Sequence, residues 1–243
     1  MTDRPILFSA AMVCALLDGR KTQTRRVIKP QPLQWRVQVI DVGSPTLNDE
    51  GEWGQWETVW SGPLVPGMCE PDHDVWHPIR TFRKGDRLWV RETWGVGTRP
   101  CPNQGWRDGI EYRADEMAKS PFDHGPLPLH PIEPPEGVEF DDLKGEGWRP
   151  SIFMPRWASR LTLKVTDVRI ERLADISEKD AVAEGIKHID SRYWQGAPKA
   201  EPSDRPVIAY ARLWELINGK GSWLANPYVT ATTFTVEKRN IDA

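Results

Sequence analysis

No helical pattern in this 243-residue chain is long enough to carry one parallel strand over to the next. Three short helices can be read: residues 10–17, a stretch opened by Ser177 and closed by Gly185, and one that begins at Ser203 or Asp204 and stops at Asn218-Gly219. A parallel crossover needs roughly a dozen residues or more, usually helical. The strand patterns, about six to eight of them, must therefore find another arrangement. Pro5-Ile6-Leu7-Phe8 reads as the first strand, and Ser9 and Gly19 as the N-cap and C′ residues of the helix over 10–17. β-Branched residues over 22–28 suggest a strand with Thr22, Thr24 and Arg26 on one face and Gln23, Arg25 and Val27 on the other. Residues 35–42 and 53–60 both alternate around Asn48-Asp49-Glu50-Gly51, a hairpin signal. The Lys84-Gly85-Asp86 turn leads into a strand over 87–94, residues 161–173 form the longest strand pattern, and residues 228–237 form a final strand. The expected fold is α+β, a compact mixed β-barrel with a few short flanking helices and loop insertions.

One insertion covers about 98–147, where six prolines between residues 121 and 135 are followed by acids. A strand over residues 110–114 and otherwise an irregular, partly ordered surface excursion are expected there. Net charge is −3, but residues 101–148 carry eleven Asp and Glu against four Lys and Arg, whereas the first thirty residues carry six Lys and Arg against two Asp. A basic focus with an acidic appendage argues against a generic polyanion binder and for a local anion site. The thirteen tryptophans can fill a core or offer stacking faces to bases. Cys14, Cys69 and Cys101 are far apart with no CxxC, which fits a reducing, cytoplasmic setting without disulfides. The one apolar N-terminal run, residues 10–17, is too short for a membrane span or a signal peptide.

Chemistry-bearing residues concentrate between Leu17 and Lys29, where Arg20, Lys21, Arg25, Arg26 and Lys29 surround Thr22 and Thr24. Taken alone, this stretch reads as a basic strand that touches phosphate. It also offers a hydroxyl nucleophile, Thr24, and an amine base, Lys21, whose pKa neighbouring arginines would depress. Glu184 sits in the last turn of its helix and four residues after Asp180, so the helix dipole and a like charge both disfavour its ionised form. It is either an exposed glutamate at small cost or a proton donor. Glu92 falls on the otherwise apolar face of Leu88, Val90 and Trp94, so it is expected to meet a polar cavity or a cation. The five histidines fall in loops, and no metal site is expected.

Three segments, in order, resemble ASCH domains, which are PUA-like β-barrels. Residues 19–26, Gly-Arg-Lys-Thr-Gln-Thr-Arg-Arg, resemble the GxKxxTxR signature; residues 84–90 resemble the KGD turn and its strand; residues 161–186 resemble the strand-then-helix element ending in glutamate. Residues 148–160 and 214–223 look like ASCH-related proteins of phages and prophages. The resemblance implies one ASCH/PUA-like domain over 1–243, with insertions at about 40–75 and 98–147. It implies a cleft for RNA or a modified nucleoside and no cofactor. In the small bacterial amidohydrolase of this family, which deacetylates N4-acetylcytidine, a motif lysine is the base, a threonine the nucleophile and a helix glutamate the acid. Those positions match Lys21, Thr24 and Glu184, with Arg20, Arg25, Arg26 and Glu92 around the pocket and Trp89 or Trp94 as stacking partners. Other members bind RNA without catalysis or cut it, so those functions stand beside hydrolysis.

Overall fold

The computed structural model describes residues 2–29, 31, 37–38, 58–60, 76–77, 82–101, 105–119, 123, 125–145, 147–194 and 202–243. In chain order the elements are β1 (Asp3–Leu7), α1 (Ala10–Leu17), β2 (Gln23–Val27), β3 (Val37–Gln38), β4 (Thr58–Trp60), β5 (Trp76–His77), β6 (Arg87–Arg91), β7 (Trp94–Cys101), β8 (Gly105–Tyr112), α2 (Arg113–Ala118), α3 (Phe140–Leu143), β9 (Thr162–Arg172), α4 (Glu178–Ala183), β10 (Lys187–Ile189), β11 (Arg192–Trp194), α5 (Pro206–Asn218) and β12 (Tyr228–Glu237). The expected α+β composition is found. Among the described residues no helix is long and apolar enough to cross a membrane.

Five strands form the main sheet in the order β1-β6-β9-β12-β2. β1 runs parallel to β6, and every other pair is antiparallel. Among the described residues the ladder does not close into the expected barrel. Its two edges, β1 and β2, are bridged instead by a side chain: Arg26 Nη2 donates to the Leu7 carbonyl at 2.7 Å. β9 and β12 make the long central pair, interrupted by a register shift between Thr233 and Phe234.

The sheet is covered on both faces. On one, Ile6, Leu88, Val90, Leu163, Val165 and Phe234 pack with Phe8 and with Val13 and Leu16 of α1. On the other, Val229 packs with Ala181 of α4 and with Ala209, Tyr210 and Trp214 of α5. Helix α4 starts where its capping residue requires, since Ser177 Oγ accepts from the Asp180 backbone N–H at 3.1 Å. Helix α5 starts later than Ser203 or Asp204, with Pro206 in its first turn, where the missing N–H costs nothing.

Residues 105–118 depart from the expected irregular excursion, with the strand expected over 110–114 found as the end of β8 and Arg113 opening α2, whereas residues 126–135 are irregular as expected apart from a bridge at His130. β7 and β8 pair over their whole length, from Trp94 opposite Tyr112 to Cys101 opposite Gly105. The base of this hairpin has its own core of Trp94, Ile110, Tyr112, Met154 and Ala158, and the Tyr112 hydroxyl donates to the Ala158 carbonyl at 2.6 Å. The arginines and glycines of the hairpin hid its alternation. His188, expected in a loop, lies instead in the β10–β11 hairpin, whose turn residues Asp190 and Ser191 take positive φ. Of the hairpin expected over 35–60, only the pairing of β3 with β4 can be described, and most of that insertion lies outside the described residues.

Leu163 is fully buried between sheet and α1, while Leu216 on the outer side of α5 is 64% exposed. Leu163→Ala is expected to cost about 2–5 kcal/mol in urea unfolding, and Leu216→Ala to stay within about 0.5 kcal/mol of the parent.

Candidate active site

The turn between α1 and β2 delivers Lys21 into the interior. Gly19 turns the chain at φ +72°, and the backbone N–H groups of Arg20 and Lys21 both donate to the Ala15 carbonyl at 3.0 Å. The start of β2 then docks on the C-terminus of α4: Lys21 and Glu184 form an isolated antiparallel bridge, and the Thr22 N–H donates to the Ala183 carbonyl at 2.8 Å. Gly185 makes this approach possible. Its φ is +100°, and a Cβ there would stand 3.1 Å from that of Ala15 and 3.3 Å from that of Lys21.

Lys21 is 1% exposed and Glu184 is 6% exposed. The lysine Nζ donates to Glu184 Oε2 at 2.7 Å and to the Glu184 carbonyl at 2.9 Å. An ammonium there also meets the negative end of the α4 dipole. Glu184 Oε1 faces Arg25 Nη1 and the Tyr210 hydroxyl, each at 3.4 Å. From sequence, Glu184 is a local rule broken without compensation; the compensating cations, Lys21 in the turn before β2 and Arg25 in β2, come from about 160 residues away in the chain. Burial pushes the Lys21 ammonium below the usual lysine range, the Glu184 charge pulls it back up, and Arg26 and Arg25 add smaller downward pushes. Desolvation, more than the arginine repulsion expected from sequence, is thus the chief cause. Burial, reinforced by Glu184, holds the Tyr210 phenol well above its ordinary value, so it remains a donor.

The alternation of β2 separates its functional side chains. Arg25 lies under α4 and makes ion pairs with Glu171 at 2.6 Å and Asp180 at 3.5 Å, with Gln23 Oε1 at 2.5 Å. This relieves the Asp180–Glu184 repulsion: although burial raises the Asp180 carboxyl, Arg169, Ser177 and Arg25 leave it lowered overall. Thr24 and Arg26 occupy the other face, opposite Thr232 and Thr230 of β12. Thr24, opposite Thr232 in the ladder, is 4% exposed. Lys21 Nζ and Arg26 Cζ each lie 5.7 Å from the centre of the Phe8 ring, so the lysine head reaches the side of the sheet that carries Thr24. Arg20 turns away, binding the Gly185 carbonyl at 2.7 Å and Asp18 at 2.8 Å.

The remaining candidates belong to a different cluster. Glu92 is 1% exposed and receives both Nε and Nη2 of Arg160, at 2.9 and 3.0 Å, which meets the expectation that it pairs with a cation. Burial raises the Glu92 carboxyl against the pull of Arg160. Arg160 also binds Asp115 at 2.8 Å and lies over the Tyr112 ring, while His130 binds Asp115 at 2.8 Å. This network fastens the hairpin to the sheet. Trp94 is 1% exposed and presents no stacking face, and Trp89 is covered by Arg91, 5.2 Å from its ring centre. Among the described residues, Glu92, Trp89 and Trp94 make no hydrogen bond or ion pair with Lys21, Thr24 or Glu184. Nor does any group of three or more His, Cys, Asp or Glu there have the geometry to hold a metal.

These elements define a mixed α+β protein with an open, curled sheet and a buried Lys–Glu pair where its second strand meets a helix end. Comparisons with protein-family models, curated proteins and solved structures find no match. Sequence reasoning missed Tyr210 and Thr232. A tyrosine on the core face of a helix needs a partner for its hydroxyl, and the threonines of β12 alternate into the core; both are readable signals.

Lys21→Met leaves Glu184 buried without its closest cation and is expected to cost about 3–5 kcal/mol in urea unfolding at neutral pH, with Lys21→Met/Glu184→Leu costing less than the sum of the singles. Because the folded-state pKa of Lys21 lies below 10.5, the unfolded chain holds a proton that the folded one lacks just below that pH. Parent stability should therefore rise with pH in that window relative to Lys21→Met. Parallel curves would contradict the desolvation of Lys21.

Proposed function

We propose that the protein is a hydrolase that removes an amide-linked acyl group from a modified nucleobase of the N4-acetylcytidine kind, built on an ASCH-like, PUA-like fold. The observation that carries this reading is the Lys21–Glu184 pair: a lysine 1% exposed, 2.7 Å from a carboxylate, with its pKa lowered chiefly by burial. Buried ion pairs are poor stabilisers, and groups with shifted pKa values cluster at functional sites. The ordered resemblance of residues 19–26, 84–90 and 161–186 to ASCH motifs supports the same assignment.

In this mechanism Thr24 Oγ1 adds to the acyl carbon as its proton passes to neutral Lys21 Nζ. The resulting ammonium hands a proton through its hydrogen bond to Glu184, which delivers it to the exocyclic nitrogen as the C–N bond breaks. Water then cleaves the threonine ester, releasing the carboxylic acid and restoring the hydroxyl. Tyr210 and Arg25 hold the Glu184 carboxylate in place.

One observation favours a second reading. Lys21, Thr24 and Glu184 are each 6% exposed or less, as in a structural pair inside a non-catalytic RNA- or nucleotide-binding module, with exposed Arg26 as the contact. Incubation with N4-acetylcytidine separates the two. The hydrolase should release cytidine and acetate, with Thr24→Ala and Lys21→Met each losing about 10²–10⁴-fold in kcat. Product formation that persists in both variants removes Thr24 and Lys21 from the mechanism, and no product alongside salt-dependent RNA binding assigns the chain to the second reading.

A further inference from the structure

The two unpaired sheet edges, β1 and β2, flank an open cleft of about 240 Å³. Arg4, Ile6 and Leu7 of β1, Arg26 of β2, Thr230 of β12 and Phe82 line it. Both charged residues in its wall are arginines, and no acid is among the described lining residues. Arg4 lies over the Phe82 ring, 4.9 Å from its centre, which sets one guanidinium across the cleft mouth. Arg26 spends one nitrogen on the Leu7 carbonyl, and a guanidinium has five N–H donors, so others remain for a ligand. That bond also spans the gap between the edges, which leaves little room for an added peptide strand.

A track of hydroxyls continues inward from the cleft. Thr230 stands opposite Arg26, and Thr232, fully buried, stands opposite Thr24. Thr232 Oγ1 has no hydrogen-bond partner among the described residues, although Val168, its neighbour on β9, packs in an apolar core. An unpaired buried hydroxyl is costly and points to a missing partner. Lys21 Nζ reaches the inner end of the track over Phe8, the ring that Arg26 also faces. Thr24 and Arg26 are two residues apart, about 7 Å along a strand, and the arginine stem extends the span toward the length of a nucleoside.

We propose that this cleft is a phosphate subsite, in which Arg4 and Arg26 grip a nucleotide phosphate while the base points along the threonine track to Thr24. Paired guanidinium forks match phosphate oxygens in charge and geometry. The substrate of the Lys21–Thr24–Glu184 site is then a phosphorylated nucleoside rather than a free one. What happens at the base rests on the hydrolase reading; the phosphate grip does not.

Calorimetry on the full chain with cytidine 5′-monophosphate and with cytidine tests this. The mononucleotide should bind roughly tenfold or more tightly at low salt. That preference should shrink as salt is added, and most of it should vanish in Arg4→Gln and in Arg26→Gln. Thermal unfolding checks both variants, and Arg4→Gln decides if loss of the Leu7 bond unfolds Arg26→Gln. Equal affinities, or a preference that survives both substitutions, overturn the subsite. Parallel turnover of N4-acetylcytidine with and without a 5′-phosphate separates the two proposals. Phosphate preference without acetate release keeps the subsite and removes the hydrolase. Release with the same kcat/KM on both keeps the hydrolase and removes the subsite. A short cytidine RNA alongside shows whether the phosphate belongs to a free nucleotide or to a strand.

Discussion

A lysine and a glutamate, drawn together 2.7 Å apart and away from water, join the N-terminal and C-terminal halves of this chain. The contact requires the turn at Gly19, the close approach at Gly185 and the C-terminus of α4 set against the start of β2. Arg25 and Tyr210 complete the surroundings of the carboxylate. Desolvating two charges costs several kcal/mol each, and their attraction returns that only with good geometry and further hydrogen bonds. The hydrogen bond from Lys21 to the Glu184 carbonyl supplies one of these.

The open sheet gives that pair a setting a sealed barrel would not. Because β1 and β2 stop short of pairing, the ladder leaves a slot at one side, held at fixed width by Arg26 and Leu7. The face of the sheet that carries apolar residues along β6 and β9 becomes polar along β2 and β12, where Thr24, Arg26, Thr230 and Thr232 line up. The opposite face, under α4 and α5, absorbs the arginine that would otherwise crowd the lysine. The alternation of one five-residue strand thus assigns Arg25 to architecture and Arg26 to the cleft.

Much of this was legible in the residues. The period-two pattern of β2 sorts Thr24 and Arg26 from Gln23 and Arg25, and Ser177 marks the start of α4. The misplacement of Glu184 is visible from the helix dipole and Asp180 alone, though not the cations that answer it, since a bridge between residues 21 and 184 leaves no local trace. Glu92 announced a partner without naming Arg160. Of the β7–β8 hairpin only the strand at residues 110–114 is legible, because prolines and acids dominate the segment that follows and the rest of its strands carry glycines and arginines where alternation is normally read. Trp94 looked like a stacking surface because an indole in sequence does not reveal whether it faces a ligand or, as here, a second core.

The hydrolase reading turns on whether Lys21 can give up its proton inside the protein. Labelling the lysine side chains with nitrogen-15 and following Lys21 Nζ by NMR across an alkaline titration, with Lys21→Met to assign the signal, measures this directly. The Lys21 ammonium should titrate below 10.5, the ordinary lysine value, while exposed lysines stay near it. A Lys21 that titrates at or above 10.5 would make the pair a structural clamp and remove the base from the mechanism.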